Sequence, residues 1–362
     1  MRKTLYFLLA LGGGAFLVSP LGVLAADISN RCTSPKRVVG NVKLQADCIY
    51  YQSFEISRSD TSLDCDGAIL DGEHSRAIGV SVNGRGRPIE NIKISNCRIV
   101  NFRNRGVSIT SGVRINEFSS DISENYKIAP RNVVLDGVKV LRSGRGGVYF
   151  ESYVTDSVLK NSIVKDSGKV GVYLDQGSQR ISILNNVIQG NGVNGRREGV
   201  AIDSSAYNVI EGNKFLGNAG GGIFLYKNCG ENFKTGKSAI RWQSSDHNVI
   251  RNNLFSHEPV GVWIASRQSR DLSKWGCGDP ALDDKGRFYR DYANFNVVEG
   301  NEFCGSRIGV KIEGDNNVVV KNRMGKSVRQ HVVEPYKDML KPDGYKNLGN
   351  KVKENEIFSC SR

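Results

Sequence analysis

A short phrase of alternating apolar and variable residues, opened by glycine, recurs along most of the chain. Residues 147–151 (Gly-Val-Tyr-Phe-Glu) are one copy, with apolar side chains at the second and fourth positions. Alternation with a period of two is typical of β-strands that bury one face. The pattern predicts a series of short strands whose copies open at Gly147, Gly171, Gly199, Gly222, Gly261 and Gly309, with weaker copies at Gly79 and Gly106.

A second phrase places an asparagine between two apolar residues and alternates strictly with the first from residue 147 to residue 313. Gly147 and Gly171 are 24 residues apart, and Gly199 and Gly222 are 23 apart, which predicts one coil per repeat. Short strands cannot bury an apolar face alone, but stacked coils share one core. Asparagines at a fixed place in each coil predict a hydrogen-bonded ladder. They are Asn161, Asn186, Asn213, Asn253, Asn301 and Asn355.

Residues 60–358 resemble the right-handed parallel β-helix of pectate lyases, polygalacturonases and alginate epimerases. Residues 63–72 (Leu-Asp-Cys-Asp-Gly-Ala-Ile-Leu-Asp-Gly) resemble the first coil of those families. The resemblance implies an all-β, single-domain solenoid. Solenoid ends need caps, because open strand edges invite aggregation. We therefore expect an N-terminal cap over 26–60, a β-helix over 61–362 and long loops that wall one face.

The N-terminus has the features of an export signal. Arg2 and Lys3 precede an apolar stretch over 5–18, and residues 23–25 (Val-Leu-Ala) offer a cleavage site, so 1–25 is predicted to be a signal peptide. No later segment reaches the ~20 apolar residues of a membrane span. The sequence thus predicts a periplasmic or secreted protein without membrane insertion.

All eight cysteines lie beyond this signal. An even number in an exported chain favours disulfides over the alternative of reduced, buried thiols. We expect the first four to pair among themselves and the last four likewise. They are Cys32, Cys48, Cys65, Cys97, Cys229, Cys277, Cys304 and Cys360.

The third and fifth positions of the glycine phrase are predicted to point outward on one sheet. Several aromatic residues at these positions could stack on sugar rings, although cross-strand stacking alone could also explain them. Three insertions, 111–130, 228–247 and 267–295, follow strands of this same sheet and are expected to flank a groove. The predicted substrate-binding residues are Tyr149, Tyr173, Phe224, Tyr226, Lys227, Trp263 and Arg267.

Three acids occupy the fifth position in consecutive coils: Glu151, Asp175 and Asp203. At a coil spacing of ~4.8 Å, neighbouring carboxylates would be ~5 Å apart and the outer two ~9.6 Å apart. The shorter separation suits a retaining glycosidase, and the longer lies at the upper edge of the inverting range. Because stacked carboxylates repel, at least one pKa should be raised, as a general acid requires. We therefore predict hydrolysis by these acids without a cofactor. An acidic strip neutralised by arginines is the alternative.

Two other functions stay open at this stage. Elimination or C5-epimerisation of a uronate needs a base and a cation, and Lys227, Tyr226 and Arg267 could supply them. The placement of Lys227 and Arg267 resembles that of the Lys and Arg of β-helix alginate and chondroitin lyases. In that case the three acids could hold Ca²⁺, as in pectate-lyase-like proteins. The Asn-Thr-Asp and Gly-His-Gly signatures of polygalacturonases and the Asp-Pro-His-Asp motif of alginate epimerases are missing. The third possibility is a non-catalytic glycan-binding or envelope solenoid.

The charge balance bears on the partner. The chain carries 50 basic and 37 acidic side chains, a formal net charge of +13 that becomes +11 without Arg2 and Lys3. Such an excess favours an anionic polysaccharide. Nucleic acid would also match the charge, but export and the lack of a nucleic-acid-binding module argue against it.

Overall fold

A computed structural model describes residues 31–360. Within this part, 33 short strands form three parallel sheets of 11 strands, and each coil contributes one strand to each sheet. This confirms the predicted all-β solenoid. Within residues 31–360 the helical segments are confined to the insertions between coils: helix α1 (Ile122–Ile128) and two 3₁₀ turns at Ile115–Glu117 and Phe233–Thr235.

Sheet 1 carries the glycine phrase. Its strands are β1 (Arg37–Val38), β4 (Phe54–Ile56), β7 (Ile78–Asn83), β10 (Arg105–Thr110), β13 (Gly146–Phe150), β16 (Val172–Leu174), β19 (Glu198–Asp203), β22 (Gly221–Tyr226), β25 (Val260–Ile264), β28 (Ile308–Ile312) and β31 (Gln330–Val333).

Sheets 2 and 3 flank the asparagine phrase. The strands of sheet 2 are β2 (Asn41–Lys43), β5 (Thr61–Asp64), β8 (Glu90–Ser95), β11 (Arg131–Asp136), β14 (Val158–Lys160), β17 (Ser182–Leu184), β20 (Val209–Glu211), β23 (Val249–Arg251), β26 (Val297–Glu299), β29 (Val318–Val320) and β32 (Lys351–Lys353). Those of sheet 3 are β3 (Ile49–Tyr50), β6 (Ile69–Asp71), β9 (Arg98–Val100), β12 (Lys139–Leu141), β15 (Ile163–Lys165), β18 (Val187–Gln189), β21 (Lys214–Leu216), β24 (Leu254–Ser256), β27 (Glu302–Cys304), β30 (Arg323–Gly325) and β33 (Glu356–Phe358).

The segment 26–60, predicted as an N-terminal cap, takes a different form where the structure describes it. Strands β1, β2 and β3 each pair in parallel with the corresponding strand of the next coil, so residues 37–50 build the first coil of the solenoid itself. The cap is therefore not confirmed with these bounds. These first short strands lack the glycine phrase, which is why the sequence repeat does not reveal that residues 37–50 form a coil. The predicted signal peptide lies outside the described residues.

The core fills the interior of the coils. The second and fourth positions of the glycine phrase are fully buried, as predicted; Val148 and Phe150 are examples. The phrase opens with glycine because neighbouring coils approach closely at this point. A Cβ atom added at Gly261 would lie 2.6 Å from the carbonyl oxygen of Gly309 in the next coil.

Buried asparagine ladders join the coils at their turns. The predicted ladder is present: the amide of Asn186 donates to Asn213, Asn213 to Asn253 and so on, with amide-to-oxygen distances of 2.9–3.0 Å. Asn161 is not a member, because Ser162 takes its place and donates its backbone N–H to Asn186. Asn322, which the sequence phrase omits, is the fifth member. Each amide satisfies a buried group of the next coil, so the ladder fixes the coil register.

Four disulfides pair the cysteines as the sequence predicts, the first four among themselves and the last four likewise: Cys32–Cys48, Cys65–Cys97, Cys229–Cys277 and Cys304–Cys360. The third disulfide joins the insertions 228–247 and 267–295. Disulfides are typical of proteins in oxidising compartments. In the described part of the chain no helix is long and apolar enough to cross a membrane.

Candidate active site

The strand register of sheet 1 brings the three acids into one column. Phe150 pairs with Leu174, and Leu174 pairs with Ile202. The next residues along the chain are Glu151, Asp175 and Asp203, which therefore occupy equivalent places in consecutive coils. Neighbouring strands lie ~4.8 Å apart, so each acid has another as its nearest counterpart along the column.

Glu151 is the most open of the three. Its carboxylate forms an ion pair with Arg105 and accepts a hydrogen bond of 2.5 Å from the hydroxyl of Ser108. Both partners belong to β10, one coil earlier. The guanidinium of Arg105 also lies 4.1 Å from the ring centre of Tyr149. The Arg105 side chain therefore runs along the outer face of the sheet, from the start of β10 towards Glu151.

Asp175 lies on the wall of a cleft, with 21% of its side chain exposed. Its Oδ1 accepts a hydrogen bond of 2.8 Å from the backbone N–H of Gln176, and Arg241 lies 3.4 Å away. Burial raises the pKa of Asp175, and the negative charge of Asp203 acts in the same direction, while Arg241 opposes the shift. The sequence predicted a raised pKa from repulsion between stacked carboxylates, whereas burial is the main cause of the shift at Asp175.

Asp203 differs from the expectation of an outward, solvated carboxylate because it is fully buried. The insertion 228–247 covers it: Asn228 donates to Oδ2 from its side chain over 3.1 Å and to Oδ1 from its backbone over 3.2 Å. The hydroxyl of Ser204 donates to Oδ1, and that of Tyr173 donates to Oδ2. With four hydrogen bonds from the protein, Asp203 holds its surroundings in place.

Of the seven predicted substrate-binding residues, Tyr149, Tyr173 and Arg267 line the cleft. The two tyrosine rings stack with centres 4.9 Å apart and planes 6° from parallel. Burial raises the pKa of both hydroxyls. The tyrosines therefore form a neutral aromatic floor between the start of the strands and the acids.

Phe224 and Tyr226 do not form part of an open groove, contrary to the sequence prediction. They are 3% and 1% exposed. The arginines of the insertion 267–295 cover them: Arg267 lies 4.3 Å from the ring centre of Tyr226, and Arg270 lies 5.9 Å from that of Phe224.

Trp263 lies beside this covered region and outside the lining of the cleft. Its indole N–H donates to Glu313 over 2.9 Å. Lys311 and Arg270 lie 4.2 Å and 5.2 Å from its ring centre. Because Lys311 and Arg270 already lie against the indole ring, the structure gives no support to sugar stacking on Trp263.

Lys227 and Arg267 hold the insertions together. Lys227 lies 3.4 Å from Asp279, away from the cleft lining, and Arg267 pairs with Glu231 at 2.7 Å. The backbone N–H groups of both residues donate to Asp291, each over 2.7 Å. Lys227 is thus a structural residue, whereas Arg267 is structural and also borders the cleft.

The cleft has a volume of about 640 Å³ and is strongly basic. Among the described residues, the acidic side chains that line the cleft are Asp175 and Glu231. Most of the cleft's cations were not predicted from the sequence, although three of them stand two residues before a phrase glycine. The cations are Arg105, Arg145, Lys169, Arg197, Lys237, Arg241 and Arg267.

The calcium alternative places the ion between Glu151, Asp175 and Asp203. Among residues 31–360, no group of three or more histidine, cysteine, aspartate or glutamate side chains could hold a metal ion. Arg105 and Arg241 instead face Glu151 and Asp175.

Comparison with known proteins identifies the fold. A family model described as a right-handed β-helix region matches residues 70–238. Together with the three parallel sheets, the match decides the handedness. The protein is a right-handed parallel β-helix. No curated protein sequence matches the chain.

Several solved structures resemble this β-helix. The catalytic unit of a GH87 α-1,3-glucanase from Streptomyces thermodiastaticus has a TM-score of 0.52 and 13% identity, covering 90% of this chain and 63% of that one. A double mutant of the tailspike protein of E. coli bacteriophage HK620 has a TM-score of 0.51 and 11% identity, covering 79% and 51%. An alginate lyase from Paenibacillus has a TM-score of 0.45 and 13% identity, covering 87% and 92%. For the two structures with TM-scores above 0.5, the likeness at such identities shows a shared fold alone.

Proposed function

We propose that the protein is an exported carbohydrate-active enzyme that hydrolyses glycosidic bonds of an anionic polysaccharide in the basic cleft. A neighbour of the same fold, the GH87 protein, is an α-1,3-glucanase. The basic lining supports an anionic substrate, since clefts lined by one sign of charge concentrate ligands of the opposite sign. The four disulfides support export.

The contrast between Asp175 and Glu151 carries the proposal. Asp175 faces the cleft with a raised pKa, so it retains a proton to higher pH than an ordinary aspartate. Glu151, one coil earlier, lies next to the cleft and outside its lining, and pairs with Arg105. Two neighbouring carboxyl groups in such different environments suit the division between a proton donor and a nucleophile.

In the proposed reaction Asp175 protonates the glycosidic oxygen as the bond to the anomeric carbon breaks. Glu151 attacks that carbon, and the resulting glycosyl ester is then hydrolysed by a water that Asp175 deprotonates. The strand spacing of ~4.8 Å is close to the ~5–5.5 Å separation of carboxyls in retaining enzymes. Asp203 acts as a positioning residue, because it is buried and bonded to Tyr173 and Asn228.

Elimination is the second candidate, and the cations of the cleft favour it, because this reaction requires neutralisation of a uronate carboxylate. Its residues would differ from those predicted by the sequence. Tyr226 is buried and accepts a hydrogen bond from Arg197 at 3.1 Å, and Lys227 is engaged with the insertions. The raised pKa of the cleft tyrosines disfavours either as the base.

A panel of neutral, carboxylated and sulfated polysaccharides tests the proposal. New reducing ends and unsaturated products should be measured on the same samples. Hydrolysis produces reducing ends without the ultraviolet absorbance of an unsaturated uronate, whereas elimination produces both. If the protein binds a polymer but produces neither signal on any member, the non-catalytic glycan-binding function replaces the proposed one.

A further inference from the structure

We infer that Arg145, Lys169 and Arg197 form a cation row that binds charged groups on consecutive sugars of a polyanion lying along the solenoid axis. This inference deepens the proposed function and rests on it for the location of the substrate. It adds the direction of the polymer and the class of its substituents, which are regularly spaced carboxylates or sulfates.

The register places the row in line. Val148 pairs with Val172, and Val172 pairs with Val200. Each row residue stands three positions before one of these valines. The backbone N–H of Lys169 donates to the carbonyl oxygen of Arg145 over 2.5 Å, so the two coils are in direct contact at this point. The row therefore presents one cation per coil, at a repeat of ~4.8 Å.

The protein does not neutralise the row. Arg145 and Lys169 are exposed and have no ion-pair partner within residues 31–360. Arg197 alone has one, Glu198, at 2.9 Å. Like charges opposite each other on neighbouring strands are destabilising. An anionic chain that supplies one charge per coil would remove this repulsion, and a neutral chain would not.

Two buried guanidiniums also border the cleft, each beside a carboxylate: Arg241 lies 3.4 Å from Asp175 and Arg267 lies 2.7 Å from Glu231. Arg241 and Arg267 are 6% and 3% exposed, and the Nε atom of each lacks a hydrogen-bond partner among the described residues. The cleft lining as a whole carries seven cations against two carboxylates, so its potential is positive. The polymer would thus lie in a basic cleft, above the stacked rings of Tyr149 and Tyr173.

The row is close enough to the acids to act on the same substrate. Arg105 stands one position after the row position of the preceding coil, and its side chain reaches Glu151 at the far end of the neighbouring strand. A sugar lying over the tyrosines could therefore place its anionic group towards the row and its glycosidic bond towards Asp175.

The test measures binding and cleavage separately. Binding is measured by calorimetry at low salt in an Asp175→Asn background, with polygalacturonate, dextran sulfate and neutral dextran as probes. The row variant is Arg145→Gln with Lys169→Gln. Its matched control is Lys139→Gln with Lys214→Gln, which removes the same charge from exposed positions on sheet 3. Thermal unfolding checks that all variants are folded.

We expect the Asp175→Asn protein to bind at least one anionic probe and not dextran. Comparing polygalacturonate with dextran sulfate distinguishes recognition of carboxylates from recognition of sulfates. The row variant should bind about tenfold more weakly and the control within about twofold. Equal binding by the row and control variants, equal binding of dextran, or binding of neither anionic probe would overturn the inference. Row-dependent binding of a polymer that the unmodified protein fails to cleave would refute hydrolysis and leave the row intact.

Discussion

The hydroxyl of Tyr173 donates a hydrogen bond to Oδ2 of Asp203 in the following coil. This bond joins the aromatic floor of the cleft to the buried end of the acid column. Removing it by Tyr173→Phe leaves a buried carboxylate with one donor fewer, so the free energy of unfolding should fall by about 1–3 kcal/mol. Urea unfolding measures the change.

Tyr149→Phe is the matched control, because no hydrogen bond of the Tyr149 hydroxyl is present among the described contacts and its ring is the one that stacks on Tyr173. It should change the free energy of unfolding by less than about 0.5 kcal/mol. Equal effects of the two substitutions would show that the bond to Asp203 contributes nothing specific.

The alkaline limit of activity should depend on Arg241. Hydrolysis requires the protonated form of Asp175, so kcat should fall as pH rises through the pKa of that group. Arg241 lowers this pKa. Arg241→Gln should therefore move the alkaline limb of the kcat profile to higher pH. A limb that stays in place, or moves to lower pH, would contradict the assignment of Asp175 as the acid.

Glu258 should make stability dependent on pH. It occupies an asparagine-like place, where its Oε1 accepts from Asn218 over 2.9 Å and its Oε2 has no partner among the described residues. Burial raises its pKa from 4.5 to about 8. The folded protein retains the proton over this range and the unfolded chain releases it, so the free energy of unfolding should fall as pH rises from about 4.5 to about 8.

Glu258→Gln removes the ionisation and keeps the shape. The variant should be more stable than the unmodified protein at pH 9, by at least about 1 kcal/mol, and similar to it at pH 5. Glu356→Gln, at an exposed position of β33, should leave the pH dependence unchanged. Denaturant unfolding across pH measures both, and an unchanged slope in the Glu258 variant would refute the account.

The disulfide Cys229–Cys277 should matter more to the cleft than to the solenoid. It joins the insertion that covers Asp203 to the one that carries Arg267. Replacing both cysteines by serine should expose these insertions to limited proteolysis and reduce activity, while far-ultraviolet circular dichroism keeps its β signal. Replacing Cys304 and Cys360 instead should leave the insertions resistant. Cleavage sites mapped by mass spectrometry outside 228–295 would contradict this assignment.

The periodic part of the fold could be predicted from the sequence because each coil buries apolar side chains at the same positions of the repeat. The inward Val148 and Phe150 and the asparagine ladder follow directly from that repeat. Whether the outward residues are exposed or covered by insertions could not be predicted in the same way. Phe224 became buried because insertions, which carry no repeat, fold over its side of the sheet.

The same distinction applies to the candidate site. The column of acids follows from the strand register, so it could be predicted from the sequence. The cation row has an equally regular pattern, since Arg145, Lys169 and Arg197 each stand two residues before a phrase glycine, but these positions precede the phrase and were not predicted. Arg241 comes from an insertion and reaches Asp175 over 66 residues of chain, a contact that no local pattern indicates.

The most direct test of the central claim is the initial rate at which Asp175→Asn cleaves the best anionic polymer of the panel, with Asp156→Asn as a control at an exposed, Arg180-paired aspartate. Loss of the proton donor should lower kcat by about 100-fold to 10,000-fold, with polymer binding preserved and the control unaffected. A rate for Asp175→Asn within a few-fold of the unmodified protein would contradict the proposed active site.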